Sequence, residues 1–517
     1  MDPFSSQGVG QSRVSVLLSW CAEEGIAIDR RVYVADGPSG ISVHSTGKEI
    51  HPRETVVSIP RSAILSMRNC TVRQAIADGP YSDWRYDHLN LALALYTEIL
   101  YGPKSHWYGY LQSLPDERPD LPLFWRVHRV GSSSEDGDVA WQWLQGTEVD
   151  RLSARKESRR EAPSHATVRR YFDEMVAPLC IGLTELSTNP PTFVGLIRAY
   201  ALVCSRAFVT DLYHGLCMVP IADAFNHHMQ NHVHLEVEDT VCPHCGSQEI
   251  CAHDSDDEEN APSDLDISSY PNAANEGTFE MVTNTLVPPT TEVFNTYGET
   301  LSNAELLLSY GFLLDQNDND HLSWEITDPD LLDEPKSEVL RDLYINIYDA
   351  IPQGTLDAFE ESELVEHTSD KLSALSISGE GKISSRLWLL LAVQSLLLGE
   401  VTAGDVKAIL DRIPSMIEAQ LDLEAQTSDE DEDAMDEVLQ DSQVMHIPRL
   451  VLALCQRRRA SYRGGGIYTL EELGIELDNL PETWTRTRSA MTLLIGERSI
   501  LDSCEAAWSD LVTSISD

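Results

Sequence analysis

The sequence predicts an α+β protein: small twisted β-sheets interrupted by a helical insert and followed by an all-α C-terminal domain. Three observations predict it. Residues 32–65, "VYVADGPSGISVHSTGKEIHPRETVVSIPRSAIL", alternate short β-rich runs with turns at 37–40, 46–47 and 51–52. Strand signals return at 216–298, in "LCMVPIADA", "HVHLEVE", "GTFEMVTN" and "TEVFNTYG". Between and after these portions the apolar spacing is helical. Each β portion is too small to bury a core alone, so the two are expected to complete one sheet system.

The elements follow in order. Residues 1–85 hold an N-terminal helix, whose apolar stripe is "LLSWCAEEGIAI" (17–28), and the first part of the β-fold. Residues 86–202 form the helical insert, with "YDHLNLALALYTEIL", "ATVRRYFDEMVAPLC" and "TFVGLIRAYALVCSR". Residues 203–315 complete the core and carry an acidic, cysteine-containing insertion at 238–277. Residues 316–517 are read as helical, with "LWLLLAVQSLLLGE" (387–400) as a buried helix. Two acidic stretches, 253–277 and 424–443, lack the apolar content to offset ordering entropy and are expected to stay unfolded. Within the second, Met435, Val438 and Leu439 could extend a helix.

The 517 residues exceed the usual domain length, so two or three domains are expected. The longest apolar runs fall short of the roughly 20 residues a membrane span needs. "MDPFSSQGVGQSR" shows no basic-then-apolar leader pattern, so the ten cysteines are expected to be reduced thiols in the cytoplasm or nucleus. The formal charge of −47 argues against nucleic acid and anionic membrane as direct partners. It is compatible with a basic protein partner, and solubility with acidic unfolded segments is the plainer reading. A monomer is expected.

"VPIADAFNHH" (219–228) ends an apolar run in a carboxylate, an amide and two imidazoles. Three other blocks accompany it: "GPSGISVHSTGKEIHPRETVVSIP" (37–60), "VCSRAFVTD" (203–211) and "EVFNTYGETLSNAELLLSYGF" (292–312). A lesser block is "HWYGYLQSLPDERPDLPLFW" (106–125). Together they resemble the SET-domain protein-lysine methyltransferases, and within them the Rubisco large-subunit methyltransferase-like class. That class has a split SET domain and a C-terminal helical substrate-binding domain.

The resemblance implies the cofactor S-adenosyl-L-methionine and a protein-lysine N-methyltransferase. It implies that Asn226, the backbone of His227, Ser39, Gly40 and Arg206 bind the cofactor, and that a glycine at position 40 lets backbone approach it. Tyr310 matches the active-site tyrosine, in contact with the cofactor as well. Tyr297, Ala207, Phe208, Val209 and Asp223 match positions that shape the lysine channel. Asp223 could attract the substrate charge or cap local amides. A free lysine, with pKa about 10.4, must lose a proton before it attacks a methyl group, and an aromatic, desolvating channel assists that loss. Two rivals stand beside this reading. One is histidine methylation, against which the apolar Ala207 and Val209 weigh; the other is a non-catalytic binding module that kept the fold. A histone or a ribosomal protein fits the charge as substrate.

"VCPHCGSQEICAHD" (241–254) departs from the family pattern. Cys242 and Cys245 have C-x-x-C spacing, and Cys251 with His253 could complete a tetrahedral zinc site. His244 is a further candidate, and a turn with free thiols is the plain alternative. The basic runs "RKESRRE" (155–161) and "RRRASYR" (457–463) read as import signals or as solvated helix faces.

Overall fold

The computed structural model describes residues 12–37, 40–127, 134–183, 190–237, 241–248, 251, 253, 277–328, 331, 337–350, 375–398 and 446–516. Ser39, the stretch 424–443 and nearly all of 253–277 lie outside the described residues. The chain divides into two compact units. The first comprises Met1–Phe124, Lys156–Glu299 and Ser309–Gly311; the second comprises Trp125–Arg155, Thr300–Leu308 and Phe312–Asp517. The helical stretch 86–202 is thus shared, Trp125–Arg155 falling in the second unit.

In the first unit the two β portions merge. The strands are β1 (Ala27–Ile28), β2 (Val32–Gly37), β3 (Gly40–Ser45), β4 (Thr55–Pro60), β5 (Leu65–Ser66), β6 (Ala207–Val209), β7 (Leu216–Met218), β8 (Val233–Glu236) and β9 (Thr278–Thr283). One sheet has the order β1-β4-β9-β8, a second β5-β7-β6, and β2 pairs with β3. Early and late strands are therefore joined within a sheet, at β4–β9 and at β5–β7. Pairing of β4 with β9 shifts register between Thr55 and Val57. That bulge places an extra residue on one face, and so Val56 and Val57 are both buried despite being neighbours.

Two helices carry this sheet system. Asp87–Tyr101 is buried on nearly every face. Phe193–Arg206 starts at Thr192, whose side chain accepts the Gly195 N–H, and ends where Ala207 turns extended. The Tyr96 ring presses so close to Gly195 that a Cβ there would stand 2.5 Å from Cε2. The Thr192 N–H donates to the Tyr96 hydroxyl at 2.8 Å. Together these contacts hold the N-terminal end of this helix against Asp87–Tyr101.

The second unit packs the helices Ser134–Leu144, Ser385–Leu398, His446–Ser461 and Thr485–Ser516 around a core that includes Trp143, Trp324, Leu390 and Leu494. It adds one element to the helical expectation, a two-stranded sheet of β10 (His321–Trp324) and β11 (Leu375–Ser378). Leu322, Trp324, Leu375 and Ile377 alternate into the core, the period-2 pattern that the helical reading overlooked. The basic runs are not solvated faces throughout. Arg458 is fully buried, with Nη2 2.5 Å from Glu148 Oε2. Arg155 is 12% exposed and binds Asp328 at 2.7 Å. Burying two charges is tolerable only when each finds a partner, and Glu148 supplies one for Arg458. Among the described residues, no helix is long and apolar enough to cross a membrane.

Candidate active site

The site lies wholly in the first unit and is organised by one extended segment, 291–298. On one edge Ser45 N–H donates to the Thr291 carbonyl and Val293 N–H to the Val43 carbonyl, both at 2.8 Å. On the other, Asn295 N–H donates to the Asn226 carbonyl at 2.9 Å and His228 N–H to the Asn295 carbonyl at 3.0 Å. His232 and Val233 N–H groups both reach the Phe294 carbonyl. The segment is thereby bonded to β3 from the early β portion and to 226–233 from the late one.

The chain reaches 226–228 through a tight turn. Ile221, buried and β-branched, has φ 69°, an outlier for such a residue. It swings the chain out of β7 into the short 3-10 turn Ala222–Ala224, against which β3 packs. That turn holds Asp223 at 6% side-chain exposure. Arg206 Nη1 donates to the Asp223 backbone carbonyl at 2.9 Å and lies 3.5 Å from its Oδ2. The Tyr110 hydroxyl donates to the same Oδ2 at 2.9 Å. Burial pushes the Asp223 carboxyl pKa up, while Arg206 and Tyr110 pull it back. So Asp223 is an anchor for Arg206 and Tyr110. Of its two sequence-based roles, neither described this contact set.

Tyr297 and Tyr310 stack with ring centroids 4.7 Å apart and planes 29° from parallel. The Tyr310 hydroxyl donates to the Tyr297 carbonyl at 3.2 Å. Gly311, at φ 81°, ends the helix Asn303–Tyr310, and its missing Cβ admits the Asp120 backbone at 3.1 Å. The His227 ring lies 5.1 Å from that of Tyr297, and its Nδ1 accepts the Tyr297 N–H at 3.1 Å. Burial lowers the His227 pKa, in keeping with that acceptor role. Burial raises the Tyr297 pKa, with Arg206 opposing and Asp223 and Glu292 reinforcing the effect. The phenol therefore stays protonated at neutral pH.

Asn226 Nδ2 donates to Glu292 Oε1 at 2.6 Å. Gly40 begins β3 at φ 111°, and no described atom lies within 4 Å of where its Cβ would stand. That open space beside bare backbone is a place where a ligand can approach. The structure thus brings Gly40, Arg206, Asp223, Asn226, His227, Tyr297 and Tyr310 onto elements that bond or pack together. Ala207, Phe208 and Val209 form β6 directly after Arg206, but Val209 is 75% exposed. Two neighbours escaped the sequence reading. Tyr110 sits in the 106–125 block without a signal marking its hydroxyl, and Glu292 precedes "FNTYG" as one acidic residue among many.

Two β portions joined through one bridging segment, with stacked tyrosines beside it, make up a SET-domain fold. No family profile matches the chain. Solved structures do. The SET domain of LSMT bound to lysine and AdoHcy aligns with TM-score 0.59 at 17% identity, over 97% of this chain and 92% of that one. Rubisco LSMT bound to AdoMet aligns with TM-score 0.57 at 17% identity, over 98% and 93%. In sequence, ribosomal lysine N-methyltransferase 3 of Saccharomyces cerevisiae is 25% identical over 415 residues, 67% of this chain and 71% of that one. N-lysine methyltransferase setd6 of Xenopus tropicalis is 25% identical over 325 residues, spanning 58% of this chain and 57% of the frog protein. The chain is thus similar in sequence to named lysine methyltransferases and shares the fold of the LSMT SET-domain structures.

Proposed function

We propose that the chain is a protein-lysine N-methyltransferase that uses S-adenosyl-L-methionine and acts on a basic protein. The observation that carries the reading is the Tyr297–Tyr310 pair held against His227 and bonded through 291–298 to both β portions. When bound, the cofactor supplies a methyl group activated on a sulfonium. Gly40 and Ser39, the Asn226 amide, the His227 backbone and Arg206 would hold it. The open space at Gly40 and the mixed charges of Arg206 and Glu292 fit its zwitterionic methionine end.

The chain's own residues then act on the lysine. The aromatic pair desolvates the ammonium and lowers its pKa, so the neutral amine becomes available. The Tyr310 proton points at the Tyr297 carbonyl, so its oxygen offers acceptor capacity to the incoming amine and to polarised C–H groups. Fixing these groups through backbone bonds supplies orientation, worth several kcal/mol of the barrier. Phe208 and Asp223 complete the channel, with Ala207 and Val209 along β6. The second unit docks the protein substrate, as the resemblance to the class suggests.

The substrate is basic, because a chain of net charge −47 attracts cations. The yeast relative's name points the same way, to ribosomal lysine. A nuclear or cytoplasmic location goes with such a substrate. Purified protein incubated with methyl-labelled cofactor and a basic protein extract tests the reading. Label on lysine, identified by mass spectrometry, is expected. Label on histidine would replace the substrate residue, and cofactor binding with no label on any protein would leave only a binding module.

A further inference from the structure

Among the described residues between β8 and β9 none belongs to the site described above, yet four metal-ligand side chains converge there. We propose that Cys242, Cys245, Cys251 and His253 form a structural zinc site. Their ligand atoms all lie within 4.8 Å of one another. His253 Nδ1 is 3.6 Å from Cys242 Sγ and 3.5 Å from Cys251 Sγ. Zinc bonds of about 2.3 Å to sulfur and about 2.0–2.1 Å to nitrogen imply tetrahedral ligand spacings of roughly 3.5–3.8 Å. The observed sulfur–nitrogen separations fall at that spacing.

The backbone is shaped for the purpose. Pro243 follows the first cysteine, and Gly246 follows the second with φ 72°. Gly246 N–H donates to the Cys242 carbonyl at 2.8 Å, and Cys242 N–H to the Ser247 carbonyl at 2.9 Å. Cys242 is buried and Cys245 and Cys251 are half-buried, so the cluster is not a chance meeting of solvent-exposed side chains. A disulfide does not account for it: every cysteine is a free thiol, and an imidazole joins three sulfurs where a disulfide uses two.

Three soft thiolates and one imidazole select zinc, and four protein ligands leave no position for a reacting water. The role is therefore a clip. β8 lies at the edge of its sheet, beside β9. The chain leaves β8 at Glu236 and rejoins the sheet at Thr278. Gln248, just after the cysteine turn, lies 3.0 Å from where a Cβ of Gly277 would stand. A metal at this point fastens both ends of the long acidic connection next to the sheet.

The test uses the full chain, reduced, and zinc alone. After excess metal is removed, elemental analysis should find about one zinc per chain. Refilling metal-free protein with cobalt(II) should give the intense red-region bands and thiolate charge-transfer absorption of tetrahedral sulfur ligation. Cys242→Ser and Cys251→Ser should lose the metal, while Cys217→Ser, at a buried cysteine elsewhere, should retain it. Zinc should also slow cleavage of 254–276 by a Glu-specific protease. The cobalt spectrum of the unsubstituted chain decides the matter even where a variant fails to fold. Wild-type protein that binds no zinc, an octahedral cobalt spectrum, or zinc retained when Cys242 and Cys251 are both replaced would overturn the proposal. None of these readouts depends on methyl transfer.

Discussion

Replacing Tyr110 by Phe removes one hydroxyl from a side chain with no solvent exposure. The ring stays, so the packing around it is preserved and only the 2.9 Å bond to Asp223 Oδ2 is lost. A hydrogen bond to a charged acceptor contributes about 1.5–3 kcal/mol, and water cannot replace the donor at a buried oxygen. For a unit of this size that corresponds to a fall in melting temperature of about 3–10 °C. Arg206 then holds Asp223 alone, and weaker cofactor binding should accompany the lost stability. Asp223's native pKa is raised by burial, so the folded state retains its proton above the pH at which the unfolded state releases it. Stability from this group therefore declines as pH rises through that interval. The Tyr110→Phe penalty should be largest where Asp223 is ionised and shrink on acidification. Calorimetry of Tyr110→Phe, Asp223→Asn and the double variant closes a thermodynamic cycle. A coupling of at least about 1 kcal/mol is expected, and single effects that add within about 0.5 kcal/mol would refute the reasoning.

Gly40→Val should strain the backbone at φ 111°, lowering stability by about 1–3 kcal/mol, and fill the open space beside it. Titration calorimetry should show cofactor affinity reduced by at least about tenfold, a larger loss than the stability change alone explains. In the second unit, Glu497 is buried, accepts from the Glu148 N–H and the Tyr462 hydroxyl, and has its pKa raised to about 7, chiefly by desolvation. The native state then binds the extra proton between the usual carboxyl range and about pH 7, so stability falls as pH rises through that window. Urea unfolding at pH 5 to 8 should show this slope, at most about 1.4 kcal/mol per pH unit, and Glu497→Gln should flatten it. The zinc measurements above stand as a separate prediction.

Much of the fold is legible because its signals are local. The helix Phe193–Arg206 announces itself by an apolar stripe and a threonine cap, and β4 and β9 by their β-branched runs. The motif blocks bring out the proposed site residues in the same way. What is not legible depends on contacts across long chain separations. Segment 292–298 reads as a strand, yet it makes only isolated bridges, because it bonds to β3 on one edge and to 226–233 on the other. Tyr110 looks like one more core aromatic until Asp223, 113 residues away, reaches its hydroxyl. Arg458 looks like a surface charge until Glu148, 310 residues away, meets it inside the second unit. A glycine such as Gly40 can be suspected from a turn sequence, but its positive φ and the space beside it are properties of the assembled sheet.

The most direct test of the account separates binding from turnover at Tyr310. If its hydroxyl orients the amine in a pocket built from both β portions, Tyr310→Phe should bind S-adenosyl-L-methionine within about threefold of wild type while methyl transfer to lysine drops by at least about 100-fold, some 2.7 kcal/mol of barrier. Unchanged transfer in that variant, measured with the same labelled cofactor and substrate, would contradict it.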